Sequence, residues 1–389
     1  MNVLIFGMVN ASNLGDPIIY ECLASKIKRR GHNVLSCDFG GYERKLEVTL
    51  NAGAEDASVR RSSWLKSKIG SHPELAARLN RLRWIFKVKD TRERYLSRIV
   101  NADVILIGGG QLLTDIYYGL PARFYELHKV LVSQKKRYWI ALCGAGNKFS
   151  ESGALVYKNL IESSDGVILR GEDSLISVKA ISPIYKNFDV CVDPVFACSK
   201  EFKFPATKRK NTLGFCYQGF RTLAMHKRSF SSLGRHGIEG AVKNIIEQFV
   251  LAGYCVDIFT NGDCEDYIEA RDFYSKYFVG NEAVCLSDRP EGAVELVKKI
   301  SVFDRVIAFR MHAAIVAYSY GAKVINFAWD DKVREVWRCF GAEEVVAELV
   351  GNHESGTDWV ARLESVHFDQ AKVDKANKNV ELLMDRVLR

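Results

Sequence analysis

Along the chain, short unbroken apolar runs alternate with longer stretches in which apolar residues return every three or four positions. Val3-Leu4-Ile5-Phe6-Gly7 is the first such run. In Pro17–Arg30, Ile18, Ile19, Cys22, Leu23 and Ile27 recur at helical spacing, and Pro17 suits a first turn. Gly31 ends that helix, and Asn33–Phe39, Ala102–Ile107, Tyr138–Cys143 and Gly166–Leu169 read as further strands. Residues 200–211, polar, basic and containing Pro205, read as a linker. A second cycle follows: strand Thr212–Tyr217, helix Gly237–Gly253, and strands Tyr254–Thr260, Val306–Phe309 and Lys323–Ala328. Strands that are apolar throughout and alternate with helices belong to parallel sheets covered on both faces. The expected fold class is α/β, with two doubly wound Rossmann-like domains facing a cleft. The expected boundaries are 1–205 and 206–355, with a helical segment over 356–389 packing back toward the N-terminal domain. Ligands of such folds sit outside the carboxyl ends of the strands.

Composition adds limits. The 389 residues are 48% hydrophobic and 26% charged, enough for two ordinary cores. No apolar run reaches the ~20 residues of a membrane helix. The N-terminus shows neither a basic n-region nor a small-residue cleavage site, so a cytoplasmic location is expected. Ten cysteines without a C-x-x-C pair or a zinc-type Cys/His cluster read as reduced thiols, and no metal or cofactor is called for. The net charge of +8 is uneven: residues 58–98 hold twelve Lys/Arg and three acids, leaving the rest of the chain at −1. That stretch is interleaved with Trp64, Leu65, Ile69, Leu82, Trp84, Ile85 and Phe86. It suits either a solvated helical face or an interfacial helix on anionic lipid at the inner face of the plasma membrane. No nucleic-acid recognition motif accompanies the charge, so nucleic acid is not an expected partner.

Four segments at strand ends carry candidate chemistry: Asn10–Asp16, Gly108-Gly109-Gly110-Gln111, Leu169–Ser174 and Phe309–Ala314. The three glycines allow close backbone approach, either to a ligand or to a crossing segment, but they are not a dinucleotide fingerprint. Asp16, directly before Pro17, either caps the helix or faces the cleft; Asp173 and Ser174 are likewise candidate caps. Arg310 and His312 are sharper. A guanidinium after an apolar strand, then an imidazole opening a helix whose N-terminal end favours anions, describes an anion site with a proton donor attached.

These segments resemble the polysaccharide pyruvyltransferase family. The resemblance is carried in order by Asn13-Leu14-Gly15-Asp16, Gly108-Gly109-Gly110, Arg170–Ser174, Val192-Asp193-Pro194-Val195-Phe196, Arg310-Met311-His312-Ala313-Ala314-Ile315 and Phe327–Lys332. It implies a GT-B-like fold, phosphoenolpyruvate as donor and a sugar hydroxyl pair as acceptor, in a surface polysaccharide or its precursor. A polyprenyl-linked oligosaccharide is one form that acceptor takes. By the same resemblance Arg170, Arg310 and Lys332 hold the donor, His312 is the general acid and Asp16 a candidate base. Asn13, Gly108, Gly109 and Gly110 lie on the acceptor side or give backbone access. The chain departs from the family at Gln218, where many relatives carry arginine; Arg221 is the candidate substitute. Two alternatives stand beside this expectation. One is a nucleotide-sugar glycosyltransferase, with Glu335 or Glu343 holding the donor ribose. The other is a non-catalytic subunit of a polysaccharide assembly complex.

Overall fold

The structure is a computed structural model, and it describes residues 1–39, 90–115, 119–204, 207–226, 228–349 and 356–389. Most of the basic stretch 58–98 lies outside the described residues. The first half forms one parallel sheet of β1 (Asn2–Gly7), β2 (Asn33–Asp38), β3 (Val104–Gly108), β4 (Arg137–Cys143), β5 (Gly166–Leu169) and β6 (Phe188–Val190), in the order β2-β1-β3-β4-β5-β6. The second half repeats the plan with β7 (Arg209–Cys216), β8 (Cys255–Phe259), β9 (Val284–Leu286), β10 (Phe303–Ala308), β11 (Lys323–Phe327) and β12 (Val346–Ala347), ordered β12-β11-β10-β7-β8-β9.

In both sheets the chain fills one side and then returns to fill the other. The strand order therefore reverses between β1 and β3 in one half and between β7 and β10 in the other. Helices leave in opposite directions at such a point, and the crevice between them takes ligands. Asn13, Asp16 and Gly108–Gly110 stand at the first reversal, and Arg310 and His312 at the second.

Five helices position the site: α1 (Gly15–Arg29), α2 (Glu172–Ile181), α3 (Met311–Ser319), α4 (Asp331–Phe340) and α5 (Gln370–Val387). Every residue of α3 is buried, as its nearly unbroken apolar sequence requires. Alternate residues of β1 and β3 face two cores. Val3, Ile5, Val104 and Leu106 join a core continuous with the second half, whereas Leu4, Phe6, Ile105 and Ile107 face a separate one behind the first sheet.

The expected strands are all present, with edges shifted by at most three residues. The expected linker 200–211 is corrected at both ends. Glu201 closes a short helix, Cys198–Glu201, and Arg209 already pairs in β7. The helix placed at Gly237–Gly253 spans Arg228–Leu251, broken at Gly234, which has φ near +71°. Among the described residues no helix is long and apolar enough to cross a membrane.

α5 returns to α1 through charges. Lys26, fully buried, sits 2.7 Å from both Glu201 and Glu381, and Arg30 pairs with Asp385 at 2.8 Å. A buried ammonium is tolerated only while such partners remain. Glu201→Ala is expected to destabilise the fold by about 3 kcal/mol, read as a lower urea midpoint, because Lys26 then loses its one fully buried anion and keeps the partly exposed Glu381 and the neutral Asn377 Oδ1.

Candidate functional site

The loop from β1 to α1 is fixed from across the cleft. Leu14 N–H donates to the Asn261 carbonyl at 2.9 Å, and the Asn261 side-chain amide donates to Asn13 Oδ1 at 2.7 Å. Asn13 Oδ1 also accepts from Gly15 N–H at 3.2 Å, so Asn13 and not Asp16 serves the start of α1. Gly15 leaves room for His312: a Cβ there would stand 2.3 Å from His312 Nδ1. Asp16 turns to the β3 strand end instead of capping. A Cβ on Gly110 would lie 2.6 Å from Asp16 Oδ1, and Gly110 holds φ +76°, a conformation that side chains disfavour. Gly110 thus serves close approach to Asp16, whereas Gly108 backs onto the Ala141 carbonyl and Gly109 onto Ile19.

Arg170, at the end of β5, donates from Nη1 to Asp193 Oδ2 at 2.9 Å. His312 Nε2 lies 3.4 Å from the same oxygen. Asp193 Oδ1 accepts from Val195 N–H at 3.0 Å, capping the 3-10 turn Pro194–Ala197. Burial alone would push the Asp193 carboxyl up. The bond and charge of His312, with Arg170, more than reverse this and bring it to about 2. Arg170 from the first half and His312 from the second therefore meet on one buried carboxylate.

Arg310 is paired within its own half: Nε and Nη2 both reach Asp266 Oδ2, at 2.7 and 2.6 Å. Asp266 Oδ1 accepts from Gly219 N–H at 2.9 Å. Lys332 lies in the first turn of α4, whose cap is Asp330; Nζ is 3.7 Å from Asp330 Oδ2 and 4.5 Å above the Trp329 ring. Trp329 is itself pinned by its indole N–H to the Phe309 carbonyl, at 2.6 Å. Burial pushes the Lys332 ammonium below its ordinary range. Asp330 and Asp16 oppose this, while Arg170 and Arg310 reinforce it. Residues distant in sequence thus share one electrostatic environment, and the arrangement can hold a small polyanion beside an imidazole.

The caps expected in α2 differ. Its N-cap is Gly171; Ser174 Oγ accepts from Ala145 N–H at 3.1 Å, and Asp173 faces Arg338 at 3.4 Å. Arg221 does not stand in for an arginine at 218: it is exposed and lies 3.7 Å from Glu265. Glu335 is committed to α2, where its carboxylate accepts from Ser174 N–H at 2.7 Å, and Glu343 is exposed. Neither is placed to hold a ribose. Among the described residues no group of three His, Cys, Asp or Glu could hold a metal ion.

Several site residues were not singled out in the sequence, or, like Gln218, only as a departure from the family. Asp193 and Asp266 orient the arginines. Beside them lies a neutral row. Ala308 pairs with Cys216 and Cys216 with Phe259, so Arg310, Gln218 and Asn261, each two residues on, follow in line across three strand ends. Gln218 is buried, and neither of its side-chain polar atoms meets a partner among the described residues; nor does Thr260 Oγ1 or Asn261 Oδ1. Each such atom costs about 1–3 kcal/mol until satisfied. The one signal for them was a polar residue directly after an apolar strand.

The family model described as polysaccharide pyruvyl transferase matches residues 13–331. The chain belongs to the polysaccharide pyruvyl transferase family. No curated protein sequence matches it. Among solved structures it is similar to the Staphylococcus aureus MnaA–UDP co-structure, with 8% identity, TM-score 0.55, and 100% of this chain and 98% of that one covered. It is also similar to UDP-GlcNAc 2-epimerase from Methanocaldococcus jannaschii, with 10% identity, TM-score 0.53, and 99% and 100% covered. A third is UDP-N-acetylglucosamine 2-epimerase from Rickettsia bellii, with 11% identity, TM-score 0.52, and 100% and 96% covered. At these identities the likeness concerns the fold, two Rossmann-like domains in GT-B arrangement.

In this pyruvyl transferase the fold should feel the loss of the Asp193 carboxylate strongly. Asp193→Asn leaves buried Arg170 without its anion and is expected to cost about 3–5 kcal/mol at pH 7. Because the native carboxyl titrates below the ordinary ~3.9, its contribution is full above that value and fades as pH falls toward 2. The stability gap between the two proteins in urea titrations should therefore narrow, without closing, between pH 4 and pH 2.

Proposed function

We propose that this pyruvyl transferase is a phosphoenolpyruvate-dependent enzyme that forms a ketal across two hydroxyls of a sugar and releases phosphate. The observation that carries this reading is the meeting of Arg170 and His312 on Asp193, with Lys332 in electrostatic reach of Arg170, Arg310 and Asp16. Phosphoenolpyruvate carries a carboxylate and a phosphate on the same carbon, and needs both cations and a proton donor. The N–H groups of Arg170 and Arg310 that their aspartates leave over, the Lys332 ammonium and the N-terminal end of α3 supply the anion contacts.

Ketal formation begins with a proton delivered to the methylene carbon, which leaves an oxocarbenium-like centre at the carbon bearing phosphate. In this reading His312 makes the delivery: Asp193 lies beside Nε2, and Nδ1 faces the β1–α1 loop at Gly15. One sugar hydroxyl adds to that centre, phosphate leaves, and the second hydroxyl closes the ring. Of the two hydroxyl protons, one balances the proton placed on the new methyl group and the other departs with phosphate. Asp16, held against Gly110 on the first-half side, is the candidate base. The neutral amides of Asn13, Gln218 and Asn261 suit uncharged hydroxyls and supply the acceptor side of the cleft.

Arg310 is a poor test residue, since its removal would orphan Asp266. Lys332 is the better one. In calorimetric titration with phosphoenolpyruvate, Lys332→Ala should weaken binding by about ten- to a hundredfold, the worth of a hydrogen bond to a charged group. His312→Ala should still bind the donor, yet lose at least ~100-fold in phosphate release with a competent sugar acceptor. Wild-type protein indifferent to phosphoenolpyruvate, or a His312→Ala enzyme that turns over normally, would reject the reading.

A further inference from the structure

α4 carries more than Lys332. One turn further on, Glu335 places Oε1 2.7 Å from Ser174 N–H, in the first turn of α2. The N-terminal end of a helix attracts a carboxylate, and here the two helices come from opposite halves of the cleft. The next turn adds Arg338, 3.4 Å from Asp173 in that same first turn. Gly171 makes the approach possible. A Cβ on it would stand 2.2 Å from Glu335 Oε1 and 2.5 Å from Cδ. Its φ of −171° is ordinary extended backbone, so the glycine serves space and not conformation. Gly171 directly follows Arg170, and Lys332 directly precedes the turn that holds Glu335.

We infer that Glu335 is a positioning residue: by docking on Gly171 and the Ser174 N–H it sets the spacing between Lys332 on one half of the cleft and Arg170 on the other. The inference rests on the donor-site reading above and extends it to a residue that touches no substrate. The groups facing Lys332 are Asp330 on its own element, Arg170 and Asp16 from the first half, and Arg310 from the second. Of these, Arg170 disfavours the ammonium across the gap that Glu335 holds. Released from the strap, Lys332 moves away from Arg170 and toward water, and regains ordinary basicity.

The test is calorimetric titration with phosphoenolpyruvate from pH 6 to pH 10, on wild type and on Glu335→Ala, Glu335→Gln and Gly171→Ala. Gly171→Ala reaches the same contact from the opposite half, since its methyl displaces the Glu335 carboxylate. The expected result has two parts. Glu335→Ala and Gly171→Ala bind roughly tenfold more weakly at neutral pH, as misplacement of a binding group costs. Their loss of affinity on the alkaline side also sets in at higher pH than in wild type, because Lys332 stays protonated longer. Glu335→Gln, whose amide oxygen still accepts from Ser174 N–H, falls between. A purely stabilising contact would lower the melting temperature of all three variants and leave the pH profile in place, which would overturn the inference. So would wild-type affinity in both Glu335→Ala and Gly171→Ala. Wild-type protein that does not bind phosphoenolpyruvate would instead reject the donor reading itself, and the two failures are distinct.

Discussion

Taking a carboxylate out of water costs several kcal/mol unless charges and donors replace the lost hydration. Asp193 is fully buried and is repaid from three directions: Arg170, His312 and the Val195 N–H. Much of the site depends on that debt. Arg170 comes from the end of β5, His312 from the start of α3 and Val195 from the turn beyond Asp193. The carboxylate is satisfied only when the two halves stand in one relation to each other. Further contacts agree on that relation. Asn261 with Asn13 and Leu14 fixes one end of the cleft, and Glu335 with Ser174 fixes another.

The cations are not free charges. Arg170 faces Asp193, Arg310 faces Asp266 and Lys332 faces Asp330, with Asp16 near by. Counted as formal charges, the cluster is not strongly positive. What it offers an anion is direction. An arginine held by an aspartate on one side presents its remaining N–H groups along a fixed line, and the entropy of ordering it has been met in advance. In a partly water-excluded cleft such oriented donors act more strongly than exposed charges. Pairing also lets the cluster stay buried without ligand, which three unpaired cations could not do.

The architecture was legible in the sequence because its signal is long and redundant. Gly166–Leu169 is placed to the residue, and the other strands of the two interiors to within a few, since a strand buried on both faces must be apolar throughout. Three of the four edge strands, β6, β9 and β12, span two or three residues and leave too short a pattern to see. Arg170, Arg310, His312 and Lys332 were visible as charged residues just after strands. Their partners were not. Asp193 was noticed only within a motif, Gln218 only as a departure from the family and Glu335 only as a candidate ribose holder, while Asp266 and Asn261 lie in segments whose importance arises from tertiary approach. The meaning of the glycines was similarly hidden. Gly15, Gly110 and Gly171 each mark a place where a side chain from elsewhere comes too close for a Cβ, and sequence shows the missing atom without showing the visitor.

The row of strand ends in the second half gives the cleft a polarity of its own. From Arg310 through Gln218 to Asn261, charge gives way to neutral amides within three adjacent strands. The unpartnered atoms of Gln218, Thr260 and Asn261 are a standing cost, and a fold retains such a cost where satisfying those atoms matters more than removing them. Replacing Gln218 with leucine would relieve its share. A sugar presents hydroxyls that both donate and accept, and an amide is the side chain that answers both without attracting the anion next door. On this view the arginine pairs and the amides are parts of one arrangement. Under the donor reading proposed above, the paired charges confine the anion to the β10–β11 side, and the neutral row keeps the adjoining ground for the group that attacks it.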